Sequence, residues 1–197
     1  TLLRNILPAD VAEELKERGS VDPVFYPSAT VLFTDFVGFT TKAAAMAPKE
    51  LVATLDSYFT AFDDIAARHG VEKLKTIGDA YMCVGGIPGA NETHALDMVN
   101  TAFDMQAYMA GQDWELRIGI HSGPLMTGVI GTSKFSYDVW GDTVNIAARL
   151  ESAGEAGKIN VSKAVRDALA KEFVFTHRGK IPAKNVGDID MYFVEPS

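Results

Sequence analysis

Four groups of polar residues in this sequence stand where they could do chemistry. Asp35 closes the apolar run ATVLFTDF and precedes a glycine-containing turn into a helix. A carboxylate at a strand end is open to a hard metal ion, and the amides at the following helix start can hold phosphate oxygens. Read alone, Asp35 serves equally well as a turn or capping residue. Asp79 follows Gly78 at a hairpin tip in TIGDAYM, a place where aspartate is usually structural. If its hairpin lies beside the Asp35 strand, the two carboxylates share one sheet edge. They then suit a two-Mg²⁺ site for attack on a phosphoryl group, with substrate phosphates filling the remaining positions. The third group is YDVWGDTVNIAARLE. Asp138 precedes a helix on which Asn145 and Arg149, four apart, share a face. An isolated pair of this kind reads as a structural Asn and a surface Arg. It is also a pair that could orient a ribose and grip a phosphate. The fourth group is Lys73, Lys75 and Lys184. Strand alternation points Lys73 and Lys75 the same way, so spacing does not choose between them.

These residues need elements to position them. ATVLFTDF reads as a buried strand. MAPKELVATLDSYFTAFDDIAARHG reads as an amphipathic helix with Pro48 at its start and an apolar stripe through Leu51, Leu55, Tyr58, Phe59, Phe62 and Ile65. VEKLKTI and AYMCVGG form strands around Gly78-Asp79. Asn91 is expected to cap a second helix running to about Gly111, and WELRIGIHSG and LMTGVIG read as two further strands. The order strand, helix, strand, strand, helix, strand is the split βαβ arrangement of an α+β, ferredoxin-like fold. Helices near 142–153 and 162–171 and closing strands complete it. Residues 1–20 form a separate helical segment with Pro8 at its start and Gly19 past its end. This segment either packs on its own domain or continues a linker helix from an upstream module. The expected division is a linker helix over 1–20 and one catalytic domain over 21–197.

Bulk properties narrow the function. The chain has 197 residues, 47% of them hydrophobic, and a net charge of −8. An acidic surface argues against general nucleic-acid binding. The single cysteine, Cys83, excludes an intrachain disulfide and favours a reducing, cytoplasmic setting. No apolar run approaches the length of a membrane span. The chain begins at Thr1 without a signal-peptide pattern. It is expected to be a piece of a longer protein, which could itself be membrane-anchored. Cys83 reads as a buried strand residue. No histidine has metal-ligand spacing. Phe59, Phe62 and Phe103 read as core.

FTDFVGFT, VEKLKTIGDAYM, GIHSGP, YDVWGDTVNIAARLE and RGKIPAKNVGDIDMYFV, in this order and spacing, resemble the class III adenylyl and guanylyl cyclases. The likeness runs from about Ala29 to Val194. The resemblance implies the roles. Asp35 and Asp79 match metal-binding aspartates, with the Phe36 carbonyl as a further ligand and two Mg²⁺ or Mn²⁺ ions as cofactors. The amides of Gly38, Phe39 and Thr40 match the phosphate loop. Lys75 and Asp138 match the base-reading pair, Asn145 the ribose-orienting residue, Arg149 the stabiliser of charge on the α-phosphate, and Lys184 a contact to the terminal phosphates. One departure is AKNVG, where the family usually carries two lysines with glycines between them. The resemblance also implies a head-to-tail homodimer with composite active sites.

Donor and acceptor chemistry then favours a base. Lysine only donates and an ionised aspartate only accepts. Lys75 and Asp138 therefore fit N1 and N6 of adenine and oppose guanine with like groups, a mismatch that discriminates strongly. Guanylyl cyclases usually carry Glu and Cys at these positions. The expected activity is adenylyl cyclase, a lyase making 3′,5′-cyclic AMP and pyrophosphate from ATP. Alternatives are a guanylyl cyclase, or a catalytically silent nucleotide-binding module.

Overall fold

A computed structural model describes residues 2–197. The strands β1 (Val24–Phe36), β2 (Glu72–Ile77), β3 (Ala80–Gly85), β4 (Leu116–Ile130), β5 (Ser136–Trp140), β6 (Ile159–Ser162), β7 (Phe173–Ala183) and β8 (Gly187–Pro196) form one sheet. Its order is β2-β3-β1-β4-β6-β8-β7, with β5 paired to the far half of β4. The helices are α1 (Ala9–Arg18), α2 (Phe39–Ala45), α3 (Pro48–Arg68), α4 (His94–Met109), α5 (Asp142–Ser152) and α6 (Lys163–Ala168). The first four strands with α3 and α4 form the expected split βαβ unit.

The sheet has a core on each face. On one, α3, α4 and α6 pack Phe62, Met98, Met105 and Val165 against Leu32, Phe36, Cys83 and Ile118. The apolar stripe of α3 turns Tyr58, Phe62 and Ile65 inward as its 3.6-residue period requires. The other face carries α1 and α5. There Leu7, Val11, Ala12 and Leu15 join Val31, Met82, Leu125, Val139 and Ala147. The N-terminal helix thus packs on the sheet that follows it.

Several elements differ from the sequence reading. WELRIGIHSG and LMTGVIG are one continuous strand, β4. Pro124, which lacks a donor, sits where β1 bulges between Tyr26 and Ala29 and leaves no ladder bond to make. Asn91 does not cap α4. Its Oδ1 accepts from the amide and hydroxyl of Thr93, forming a turn ahead of the helix. The last helix is shorter than expected and starts from Ser162, whose hydroxyl accepts from the Val165 amide.

Candidate active site

The end of β1 and the tip of the β2–β3 hairpin bring Asp35 and Asp79 to one edge. β1 pairs with β3 through Thr34 and Tyr81, and the Phe36 amide donates to Asp79 Oδ2 at 3.1 Å. The Phe36 ring is buried among Tyr58, Phe59, Phe62 and Trp114, which pins the backbone where the strand ends. Gly38 follows at φ 68°, a left-handed conformation that lets the chain turn directly into α2. The amides of Phe39 and Thr40 open that helix, where backbone donors lack helical acceptors.

Two residues that the sequence reading missed complete this edge. Arg117 stands opposite Asp35 in the β1–β4 register. Its Nε and Nη2 donate to the two Asp35 oxygens at 2.9 and 2.5 Å. Glu151 lies behind, with Oε1 3.8 Å from Arg117 Nη2. Burial, then the adjacent Asp35 carboxylate, push the Glu151 carboxyl up to about 8, while Arg117 pulls the other way. Its proximity depends on Gly119. A Cβ there would stand 2.1 Å from the Glu151 nitrogen, so only glycine lets α5 lie this close to β4. One partial signal was available. Helical spacing turns Glu151 inward with Ile146, Ala147 and Leu150, an acidic residue on an apolar face.

Lys75 and Asp138 meet on their own. Lys75 Nζ donates to Asp138 Oδ2 at 2.8 Å, and the Val139 amide fixes Oδ1 at 2.9 Å. Simple alternation would have sent Lys73 the same way, but β2 bulges between the two lysines. Lys75 consequently pairs with Met82, on the face of α1 and α5, and Lys73 pairs with Cys83, on the face of α3. There Lys73 bonds Asp63, which also accepts from the Tyr81 hydroxyl.

Asn145 and Arg149 are exposed on α5, and Lys184 is exposed in the β7–β8 turn. Among the described residues, no hydrogen bond or ion pair joins the Asp35–Asp79 edge to Lys75, Asp138, Asn145, Arg149 or Lys184. In the AKNVG turn Asn185 takes φ 67°, a left-handed conformation that asparagine tolerates better than most residues other than glycine. Val186 is exposed and lines a cavity of about 440 Å³ with Phe25, Met126 and Trp140. Phe25, Met126 and Trp140 are cross-strand neighbours on β1, β4 and β5.

The edge suits a divalent cation. Asp35 and Asp79 offer hard carboxylate oxygens, and the Arg117 fork leaves lone pairs free on both Asp35 oxygens. No cluster of three or more His, Cys, Asp or Glu side chains arranged for a metal occurs among the described residues. Remaining ligands would come from backbone, water or substrate.

Residues 21–196 match the model of the adenylate and guanylate cyclase catalytic domain. The chain belongs to this family. The cyclase domain is 42% identical over 201 residues to an adenylate cyclase of Mycobacterium tuberculosis, covering 98% of the chain and 45% of that protein. It is 40% identical over 202 residues to the soluble guanylate cyclase subunit beta-2 of Rattus norvegicus, covering 98% of the chain and 30% of that subunit. It therefore spans less than half the length of either relative. It superposes with a TM-score of 0.83 on the guanylate cyclase domain from Catenaria anguillulae in complex with GTP, at 35% identity, over 88% of the chain and 98% of that domain. These matches agree with the α+β architecture. No helix among the described residues is long and apolar enough to cross a membrane.

Proposed function

We propose that this cyclase domain converts ATP to 3′,5′-cyclic AMP and pyrophosphate, at sites completed by a second copy of the chain. The observation that carries the choice of ATP is the contact of Lys75 with Asp138 at 2.8 Å. It sets a donor-only group beside an acceptor-only group, which matches N1 and N6 of adenine and mismatches guanine. The Asp138 carboxylate is oriented in advance by the Val139 amide, so little ordering remains when a base arrives.

Asp35, Asp79 and the Phe36 carbonyl would hold two Mg²⁺ or Mn²⁺ ions. When bound, these ions supply charge neutralisation on the triphosphate and acidify the ribose 3′-hydroxyl. The protein's own residues do the rest. The Gly38, Phe39 and Thr40 amides hold β- and γ-phosphate oxygens, and Lys184 contacts the same phosphates. Asn145 orients the ribose so that its 3′-oxygen lies in line with the α-phosphorus. The 3′-oxygen bonds to that phosphorus as the bond to pyrophosphate breaks, and the hydroxyl proton passes to solvent. Arg149 stabilises the charge growing on the α-phosphate oxygens. No covalent enzyme intermediate is needed.

Two features support a composite site. The Asp35–Asp79 edge shares no bond with the other five site residues. The exposed Phe25, Met126, Trp140 and Val186 also form an apolar surface beside them, as an interface between copies requires. The N-terminal helix, packed on the face that carries Asp35 and Lys75, would join the domain to an upstream regulatory module.

The test is product formation by the purified chain with ATP or GTP, each with Mg²⁺ and Mn²⁺, at several protein concentrations. Cyclic AMP with specific activity rising with concentration is the expected result. Cyclic GMP as main product overturns the base assignment. No product from a folded, nucleotide-binding dimer overturns the catalytic reading in favour of a silent module.

A further inference from the structure

Lys75 and Asp79 stand on one hairpin, and that hairpin is an edge of the sheet. Among the described residues β2 pairs with β3 alone, so no strand beyond it holds its register. Gly78 and Asp79 form the tight turn between Ile77 and Ala80. A two-stranded hairpin needs packing against another element to hold its place. Helix α3 supplies it. Tyr81 is fully buried, its ring 5.8 Å from that of Phe59 and 5.6 Å from that of Phe62. Phe36 stacks on the same two rings. The strand end that carries Asp35 and the strand that follows Asp79 are thus both seated on one turn of α3.

Asp63, the residue after Phe62, closes this arrangement. Its Oδ1 accepts from the Tyr81 hydroxyl at 2.8 Å, and its Oδ2 accepts from Lys73 Nζ at 3.0 Å. Burial raises the Tyr81 hydroxyl well above the ordinary tyrosine range, so it stays a donor. One carboxylate therefore ties both strands of the hairpin to α3. Tyr81 follows Asp79 by two residues, and Lys73 precedes Lys75 by two. The sheet lies between Asp63 and Lys75, which points to the face of α1 and α5. Resting on the cyclase reading above, we infer that Asp63 is a positioning residue for both halves of the site: through Tyr81 it fixes Asp79 beside Asp35, and through Lys73 it fixes the register in which Lys75 meets Asp138. The bulge shows why the second tie is needed. It leaves Leu74 without a partner on β3, and an edge strand with a spare residue can slip by one position. Such a slip turns Lys75 to the wrong face. Lys73, held on Asp63, opposes it.

The test reads metal and base binding without turnover, well below the melting temperature of each variant. Bound Mn²⁺ is measured by electron paramagnetic resonance with saturating 3′-deoxy-ATP, which has no hydroxyl to cyclise. Affinities for 3′-deoxy-ATP and 3′-deoxy-GTP are measured by calorimetry. Asp63→Leu should weaken Mn²⁺ binding about ten-fold and lower the preference for 3′-deoxy-ATP by a similar factor, the scale of one hydrogen bond to a charged group. Tyr81→Phe should reproduce the metal effect and Lys73→Met the base effect. In a Tyr81→Phe background, Asp63→Leu should change Mn²⁺ affinity by no more than about two-fold, because that tie is already cut. Equal weakening of Mn²⁺ binding with and without the Tyr81 hydroxyl overturns the inference. So does a change in one readout of Asp63→Leu without the other. A lowered melting temperature with both readouts unchanged also overturns it and assigns Asp63 to packing alone. If the Leu variant does not fold, Tyr81→Phe and Lys73→Met, each removing one bond, decide the matter by the same two readouts. Failure of the wild type to bind Mn²⁺ with nucleotide is a different result, which overturns the metal reading of Asp35 and Asp79. A wild type without preference for 3′-deoxy-ATP overturns the base reading of Lys75 and Asp138 instead.

Discussion

Replacing Asp138 by asparagine separates base recognition from stability. The Lys75–Asp138 pair is only partly sheltered, with side chains 40% and 20% exposed. Ion pairs this wet contribute about 0–1 kcal/mol. For a domain of this size that is a melting shift of roughly 4 °C or less. Asparagine also keeps an oxygen for the Val139 amide, so that contact within β5 survives. Recognition is a different matter. A hydrogen bond to a charged group contributes about 1.5–3 kcal/mol, and losing it from the ATP complex costs roughly ten- to hundred-fold in kcat/KM. The new amide can donate to O6 of guanine, which moves GTP the other way. The expected outcome is a ratio of kcat/KM for ATP over GTP that falls at least about ten-fold while the melting temperature barely moves. The assay is initial rates with both nucleotides on protein of known melting temperature. An unchanged ratio with both substrates equally impaired and the melting temperature down by about 10 °C would refute the reasoning. The pair would then be a structural tie.

Three further outcomes follow from the same geometry. Arg149→Ala should lower kcat by about 10²–10³ with little change in KM, because the role proposed for Arg149 is to serve charge that develops only in the transition state; a pure KM effect removes that role. Gly119→Ala should destabilise the domain by about 3 kcal/mol, since its methyl group meets the α5 backbone and not a side chain that could yield, and a melting temperature within about 2 °C of wild type would contradict the packing described. His121 is half-buried with Nδ1 on the Ser162 hydroxyl, and desolvation lowers it to about 4. Its folded value lies below the unfolded one of about 6.5, so the unfolded chain takes up the proton first. The stability it contributes is present above pH 6.5 and lost as pH falls toward 4. Between pH 7 and 4.5, urea unfolding of wild type should therefore lose about 2–3 kcal/mol more than His121→Gln, and equal losses would contradict the assignment.

Much of the placement of the candidate site residues was legible because it is local. Asp35 at a strand end, Asp79 in a Gly-Asp turn, and Asn145 with Arg149 at helical spacing are each fixed by a few neighbouring residues, and the split βαβ order brings the first two together. What escaped depends on contacts between distant segments. Arg117 and Glu151 acquire meaning only when β4 lies beside β1 and α5 lies on β4. The join of two expected strands into β4 was hidden by Pro124, whose missing donor is harmless only because β1 bulges opposite it. The AKNVG turn looked irregular in composition, yet Asn185 takes a left-handed conformation that asparagine tolerates.

The bulge in β2 has an evolutionary consequence. By inserting one residue between Lys73 and Lys75, it assigns neighbouring lysines to opposite sides of the sheet. Lys73 is locked to Asp63 and Tyr81 in the packing of α3, while Lys75 points away from that packing toward Asp138. A substitution at 75 therefore leaves the fastening at 73 intact. With Lys75 reading the base, as proposed above, selection could retune that one position for a new purine while the scaffold beneath it stays the same. A fold wired this way is free to diversify in what it reads without risking how it holds together.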